Sequence, residues 1–94
     1  MTLEEYQILE AFEGTLEDLR IQLFGLESGL LYWTARRDRY EKLRQASKDR
    51  VRRFVFTNVI NRCEGTIGQT KRNIGVATNN IEFFSYRLEE YLRK

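Results

Sequence analysis

Apolar residues recur at intervals of three and four along two long stretches of this chain, with mostly polar residues between them. The first stretch comprises Leu9, Phe12, Leu16, Leu19, Leu23, Leu26, Leu30 and Trp33. The second comprises Phe56, Ile60, Cys63, Ile67, Thr70, Ile74, Ala77, Ile81, Phe84, Leu88 and Tyr91. A mean spacing of 3.5 residues keeps one seam of a helix against a partner helix. The pattern therefore predicts an all-α, coiled-coil-like protein with two heptad seams.

The limits of the two helices follow from a cap and a change of phase. Thr2-Leu3-Glu4-Glu5 matches a capping box, so the first helix is expected to begin near residue 2. Residues 44–50 contain few large apolar side chains, and the second seam is out of phase with the first. We therefore predict a turn at about 45–48, with Ser47 as the N-cap of the second helix. The prediction is one helical domain, 1–94, with helices at about 2–45 and 48–93.

Six glycines are the strong helix breakers in a chain that has no proline. The apolar phase continues across the glycines of both stretches, so we expect helix through them, although each costs about 1 kcal/mol relative to alanine. This favours a long antiparallel helical hairpin. The alternative is a three-helix bundle with turns near residues 25–30 and 63–69.

A second apolar stripe lies outside the first seam, at Ile21, Phe24 and Leu31. A helix with two apolar faces needs more than one neighbouring helix to cover it. We therefore expect two hairpins to associate into a four-helix bundle, most simply as a homodimer. The residues predicted to mediate self-association are Ile21, Phe24, Leu31 and Trp33.

The net charge of +2 conceals a strong segregation of charge. Residues 1–31 hold seven acids and one base, whereas residues 32–72 hold twelve bases and four acids. The densest part is the basic segment, residues 36–53, which could bind phosphates with help from nearby aromatic rings. We favour the alternative that its charge is balanced by local pairs and by acids of the first helix, in the same chain or a neighbouring one. The residues predicted to contact a charged partner are Arg36, Arg37, Arg39, Arg50, Arg52 and Arg53.

Catalytic and metal-binding chemistry has little support in the composition. The chain has no histidine and one cysteine, so neither a Cys–His pair nor an internal disulfide can form. Cys63 occupies a seam position, where a thiol is expected to be a small buried apolar group. Thr70, the polar residue of the second seam, could fix the register or bond to a carbonyl one turn back. We predict no enzymatic activity, no cofactor and no metal site.

Neither a membrane span nor a leader is expected from this sequence. No apolar run approaches the roughly 18 residues of a membrane span. The first five residues carry two acids, where a leader would carry bases, so we expect a cytoplasmic location.

The predicted function is a non-enzymatic helical protein–protein interaction module, such as a scaffold, adaptor or assembly subunit. It is expected to associate with itself and to bind another protein. One alternative is a nucleic-acid-binding helical dimer that uses the basic segment. Another is a small helical regulator, such as an immunity, antitoxin or chaperone-like protein.

Overall fold

Two long helices joined by a short turn make up the computed structural model, which describes residues 1–93. Helix α1 spans Leu3–Ala46 and helix α2 spans Arg50–Arg93, with 44 residues in each. They pack antiparallel into a hairpin measuring 71 × 15 × 13 Å, and the described residues contain no strand. The predicted hairpin is confirmed. The three-helix alternative is wrong, because residues 25–30 and 63–69 lie inside helices whose apolar phase is unbroken.

The two predicted seams form the contact between the helices. All residues of both seams are buried or half-buried. The fully buried ones are Leu16, Ile60, Cys63, Ile67 and Ala77. Heptad spacing therefore identified the residues that face the other helix, although only a few of them are removed completely from water.

Aromatic contacts at both ends establish which parts of the helices lie side by side. At the open end, the rings of Phe12 and Tyr91 are 6.1 Å apart, and the Tyr91 hydroxyl donates a hydrogen bond to the Glu5 carbonyl at 3.4 Å. Near the turn, the rings of Tyr40 and Phe56 are 5.9 Å apart. Consequently the acidic residues 1–31 lie beside residues 65–93, while the basic segment surrounds the turn.

The capping prediction for α1 is confirmed, and the capping prediction for α2 is wrong. The Thr2 hydroxyl accepts a hydrogen bond from the Glu5 amide at 3.2 Å, as the capping box predicts. Ser47 is not the N-cap of α2; its extended backbone ends α1, and its amide donates to the Arg44 carbonyl. Asp49 caps α2 instead, because its carboxylate accepts from the Val51 amide at 2.9 Å. Reversal of the chain needs several non-helical residues between the helices, and a cap at Ser47 would leave Ser47 alone between them, whereas the structure has three, residues 47–49.

The glycines lie within the helices and none has a positive φ angle. Apart from the adjacent residues and the backbone of its own helix, a methyl group at Gly14 or Gly75 would meet no atom within 4 Å. Because alanine is the better helix former, Gly14→Ala and Gly75→Ala are each expected to raise the free energy of unfolding by about 1 kcal/mol. Urea denaturation of the two variants would measure the change. A lower free energy of unfolding in either variant would contradict the conclusion that the helix is continuous and uncrowded at that glycine.

Candidate interaction surfaces

The apolar stripe of Ile21, Phe24 and Leu31 lies in the middle of α1 and is left in water by the hairpin. Their exposed fractions are 63%, 73% and 74%. Phe24 and Leu31 are seven residues apart, and Ile21 precedes Phe24 by three, so the three side chains share one helical face. The seam residues between them, Leu23, Leu26 and Leu30, are half-buried against α2. The stripe is therefore a separate apolar surface that residues 1–93 leave uncovered.

Trp33, the fourth residue predicted for self-association, does not join the stripe. It is half-buried at the seam, and its ring packs edge-on against Tyr32 with centroids 5.2 Å apart. The Arg36 guanidinium lies 5.7 Å from the Trp33 ring centroid and the same distance from Tyr40. Trp33 thus belongs to an aromatic–arginine cluster on a different side of α1.

This cluster borders a groove of about 740 Å³ between the two helices. The residues that line the groove are Trp33, Arg36, Val59, Arg62, Cys63, Gly65, Thr66, Gln69 and Thr70. The heptad pattern of the sequence did not predict this groove. The sequence does contain a signal for the groove. Val59 and Thr66 are seven residues apart and flank the seam of α2. A threonine at such a position fills less space than a large apolar residue would, which leaves room beside the seam.

Arg36 is held at the edge of the groove by neutral partners. Its Nη1 atom donates to the Tyr32 hydroxyl at 3.3 Å, and this hydrogen bond raises the pKa of Arg36. Its Nε atom is buried without a hydrogen-bond partner. The Arg36 guanidinium is therefore stacked on aromatic rings and, among residues 1–93, forms no ion pair with an acid.

The six arginines predicted to bind a charged partner surround the turn on both helices. Arg36 and Arg37 are half-buried, and the other four are exposed. Arg37 pairs with Asp38 at 3.2 Å, and Arg52 pairs with Asp49 at 3.7 Å. The hairpin therefore brings all six to one end of the molecule, at which bases outnumber acids.

Among residues 1–93, the acids of residues 1–31 do not neutralise the basic segment. The five ion pairs of residues 1–93 all join residues one to four positions apart. None of them involves an acid of residues 1–31. The expectation of pairing inside the same chain is wrong, because an antiparallel hairpin places those acids at the opposite end. Pairing with a neighbouring chain is a separate hypothesis.

Two further side chains singled out in the sequence have structural roles. Cys63 is 1% exposed, so its thiol is a buried apolar group as predicted. The Thr70 hydroxyl donates to the Thr66 carbonyl at 2.8 Å, which is the bond to the preceding turn. Burial raises the pKa of the Tyr91 phenol, and the nearby charges of Glu5 and Glu4 raise it further. Cys63 and Tyr91 therefore belong to the contact between the helices, whereas the Thr70 hydroxyl bonds within α2.

Over residues 1–93, no group of three or more acidic or cysteine side chains is arranged to hold a metal ion. In the same part of the chain, neither helix has a segment that is both long enough and apolar enough to cross a lipid bilayer. The chain matches no model of a known protein family, no curated protein and no solved structure.

Proposed function

We propose that this chain is a non-enzymatic helical interaction module that associates with itself and binds a partner protein, as a scaffold, adaptor or assembly subunit. The observation that carries the proposal is the apolar stripe. Three large side chains of α1 are each more than 60% exposed, while the neighbouring leucines Leu23, Leu26 and Leu30 are half-buried in the seam. Exposed large apolar side chains that share one helical face typically mark a contact surface.

The small core of the hairpin also supports self-association. Among residues 1–93, five residues are fully buried and sixteen large apolar residues are exposed. A second copy that covers part of this exposed apolar surface would add hydrophobic stabilisation and would raise the apparent stability by mass action. Two hairpins packed into a four-helix bundle would remove part of this apolar surface from water.

Sedimentation equilibrium tests the self-association directly. At micromolar concentrations we expect a species of twice the 11.3 kDa chain mass, which dissociates on dilution. A monomer at every concentration up to about 1 mM, corresponding to roughly 4 kcal/mol of association free energy, would contradict the proposal.

The partner protein can be sought by affinity capture with two baits. The wild type and a variant with a polar stripe, Phe24→Gln/Leu31→Gln, would be compared under the same conditions. A protein retained by the wild type and lost with the variant binds through the stripe. A small regulator of the immunity, antitoxin or chaperone-like kind would use the same surface and would differ from a scaffold in the partner captured.

Nucleic-acid binding is the second candidate function, and one observation favours it. Arg39, Arg50 and Arg53 are exposed at the turn, and none of them has an ion pair within residues 1–93. The exposed rings of Tyr32 and Phe54 lie in the same end of the hairpin, where they could stack on bases.

A salt titration with a generic oligonucleotide separates the two candidate functions. For an interaction module we expect weak binding, with no measurable change when Arg39, Arg50 and Arg53 are replaced by glutamine. For a nucleic-acid-binding protein, the logarithm of the binding constant would fall steeply with the logarithm of salt concentration. The triple variant would then reduce that slope by about two to three, because each lost phosphate contact contributes about 0.9. Tight binding with that reduction would reverse our order of the two functions.

A further inference from the structure

We propose that the second copy of the chain packs antiparallel to the first across the apolar stripe, so that the basic turn of each hairpin lies beside the acidic open end of the other. This proposal rests on the self-association proposed above and adds the orientation of the partner. The occupant of the exposed stripe is then a second copy of this chain, selected by shape and by charge.

The position of the stripe is the first argument. Helix α1 runs from Leu3 to Ala46, and Phe24 lies at its midpoint, with Ile21 and Leu31 on either side. A two-fold axis perpendicular to the hairpin and passing near Phe24 would place the stripe of one copy on the stripe of the other. Closed dimers use such self-complementary patches, in which the same residues of both copies meet. The two hairpins would then overlap along their full 71 Å length.

The distribution of charge along the hairpin is the second argument. The half that contains the turn, residues 32–64, holds ten bases and four acids. The opposite half, residues 1–31 with 65–94, holds ten acids and six bases. The molecule is therefore a rod with a positive turn half and a negative open half. An antiparallel neighbour places opposite charges side by side at both ends.

The ion pairs inside the chain leave this charge separation in place. Among residues 1–93 they connect only near neighbours along one helix, so neither half is neutralised by the other. Exposed charges interact over about 8–10 Å at physiological salt, which is far shorter than the hairpin. Only another molecule can bring the acids of the open half within reach of the arginines around the turn.

A parallel dimer would also bring the two stripes into contact, but electrostatic repulsion disfavours it. With the two-fold axis along the hairpin, the two turn halves would lie together and the two open halves would lie together. Like charges would then face each other along the whole interface. Repulsion of this kind is a common way in which helical assemblies reject one orientation.

Distance measurements between two spin labels test the orientation. Gln45 is exposed, uncharged and three heptads after Phe24, so it lies on the same face of α1 near the turn. In an antiparallel dimer, labels on Gln45→Cys would be about 60 Å apart, since each lies 21 residues from the axis at 1.5 Å per residue. In a parallel dimer they would be closer than about 30 Å, because packed helices are about 10 Å apart.

A second label reports whether a dimer forms at all. Ser28 is exposed and lies four residues from Phe24, so labels on Ser28→Cys would be within about 30 Å in either orientation. The wild type controls for labelling at Cys63, whose burial should keep it unreactive. A short Ser28 distance with a long Gln45 distance supports the proposal. Two short distances overturn the antiparallel orientation and retain self-association. Because Ser28 lies between Phe24 and Leu31, the unlabelled wild type decides whether a dimer forms, and a wild type that stays monomeric in sedimentation overturns both proposals.

The direction of the salt effect gives an independent check. Raising sodium chloride from about 0.05 M to about 0.3 M weakens attraction between opposite charges and relieves repulsion between like charges. An antiparallel dimer is therefore expected to dissociate more readily at high salt, with a dissociation constant several-fold larger. Tighter association at high salt would overturn the proposal.

Discussion

Replacing Ile60 with alanine is expected to lower the free energy of unfolding by about 3 kcal/mol. Ile60 is 2% exposed and lies between Phe56 and Cys63 in the seam of α2. The truncation removes apolar contacts and leaves a cavity that two rigid helices can close only in part. Urea denaturation followed by circular dichroism would measure the difference, at one fixed protein concentration because dimerisation adds to apparent stability.

Val55→Ala is the matched control on the same helix. Val55 is exposed, so its truncation removes little buried surface, and we expect a change within about 0.5 kcal/mol. If the Ile60 and Val55 variants melted at the same temperature, the seam of α2 would not be the packed contact between the helices.

The double variant Phe24→Gln/Leu31→Gln is expected to weaken self-association at least a hundredfold without loss of helix. Burying each of these side chains contributes about 1.5–3 kcal/mol, and both copies of a symmetric dimer lose both of them. Glutamine is a good helix former, and neither residue packs against α2, so the helical content should stay constant. Sedimentation would give the dissociation constant, and circular dichroism would give the helical content.

Phe83→Gln provides the control for this prediction. Phe83 is also exposed but lies on α2, where it packs edge-on against Phe84 with ring centroids 5.4 Å apart. We expect its replacement to leave the dissociation constant unchanged within about twofold, since neutral contacts outside an interface contribute little. A loss of association in the Phe83 variant alone would place the contact surface on α2.

Residue spacing and local interactions account for the two helices and for the residues that face each other between them. The seam residues follow from spacing alone, because a helix repeats its faces every 3.5 to 3.6 residues wherever it lies. The cap at Thr2 and the bond from Thr70 to the preceding turn are equally local, since donor and acceptor are three or four residues apart. The turn was predicted at 45–48 and is observed at 47–49. The error is small, and it arose because both Ser47 and Asp49 are suitable N-cap residues.

The candidate surfaces could be predicted only in part. The sequence identified Ile21, Phe24 and Leu31 as a second face, and the hairpin leaves them exposed. Trp33 was predicted to lie on the same surface. It is a seam residue, however, so its side chain is half-buried and lines the groove between the helices. Spacing identifies the face on which a residue lies. It does not show that smaller neighbours such as Thr66 leave space beside the seam.

What the sequence determined by itself is two amphipathic helices, their seams and the segregation of acids from bases, because each depends on residue type and spacing along one chain. What only the tertiary structure decided is where those features meet. The antiparallel hairpin placed the arginines on both sides of the turn and the acids of residues 1–31 at the far end. It also created a groove from residues some 30 positions apart, such as Trp33 and Cys63. The reason is physical: contacts between distant segments depend on the direction in which the chain returns, and heptad spacing is the same for either direction.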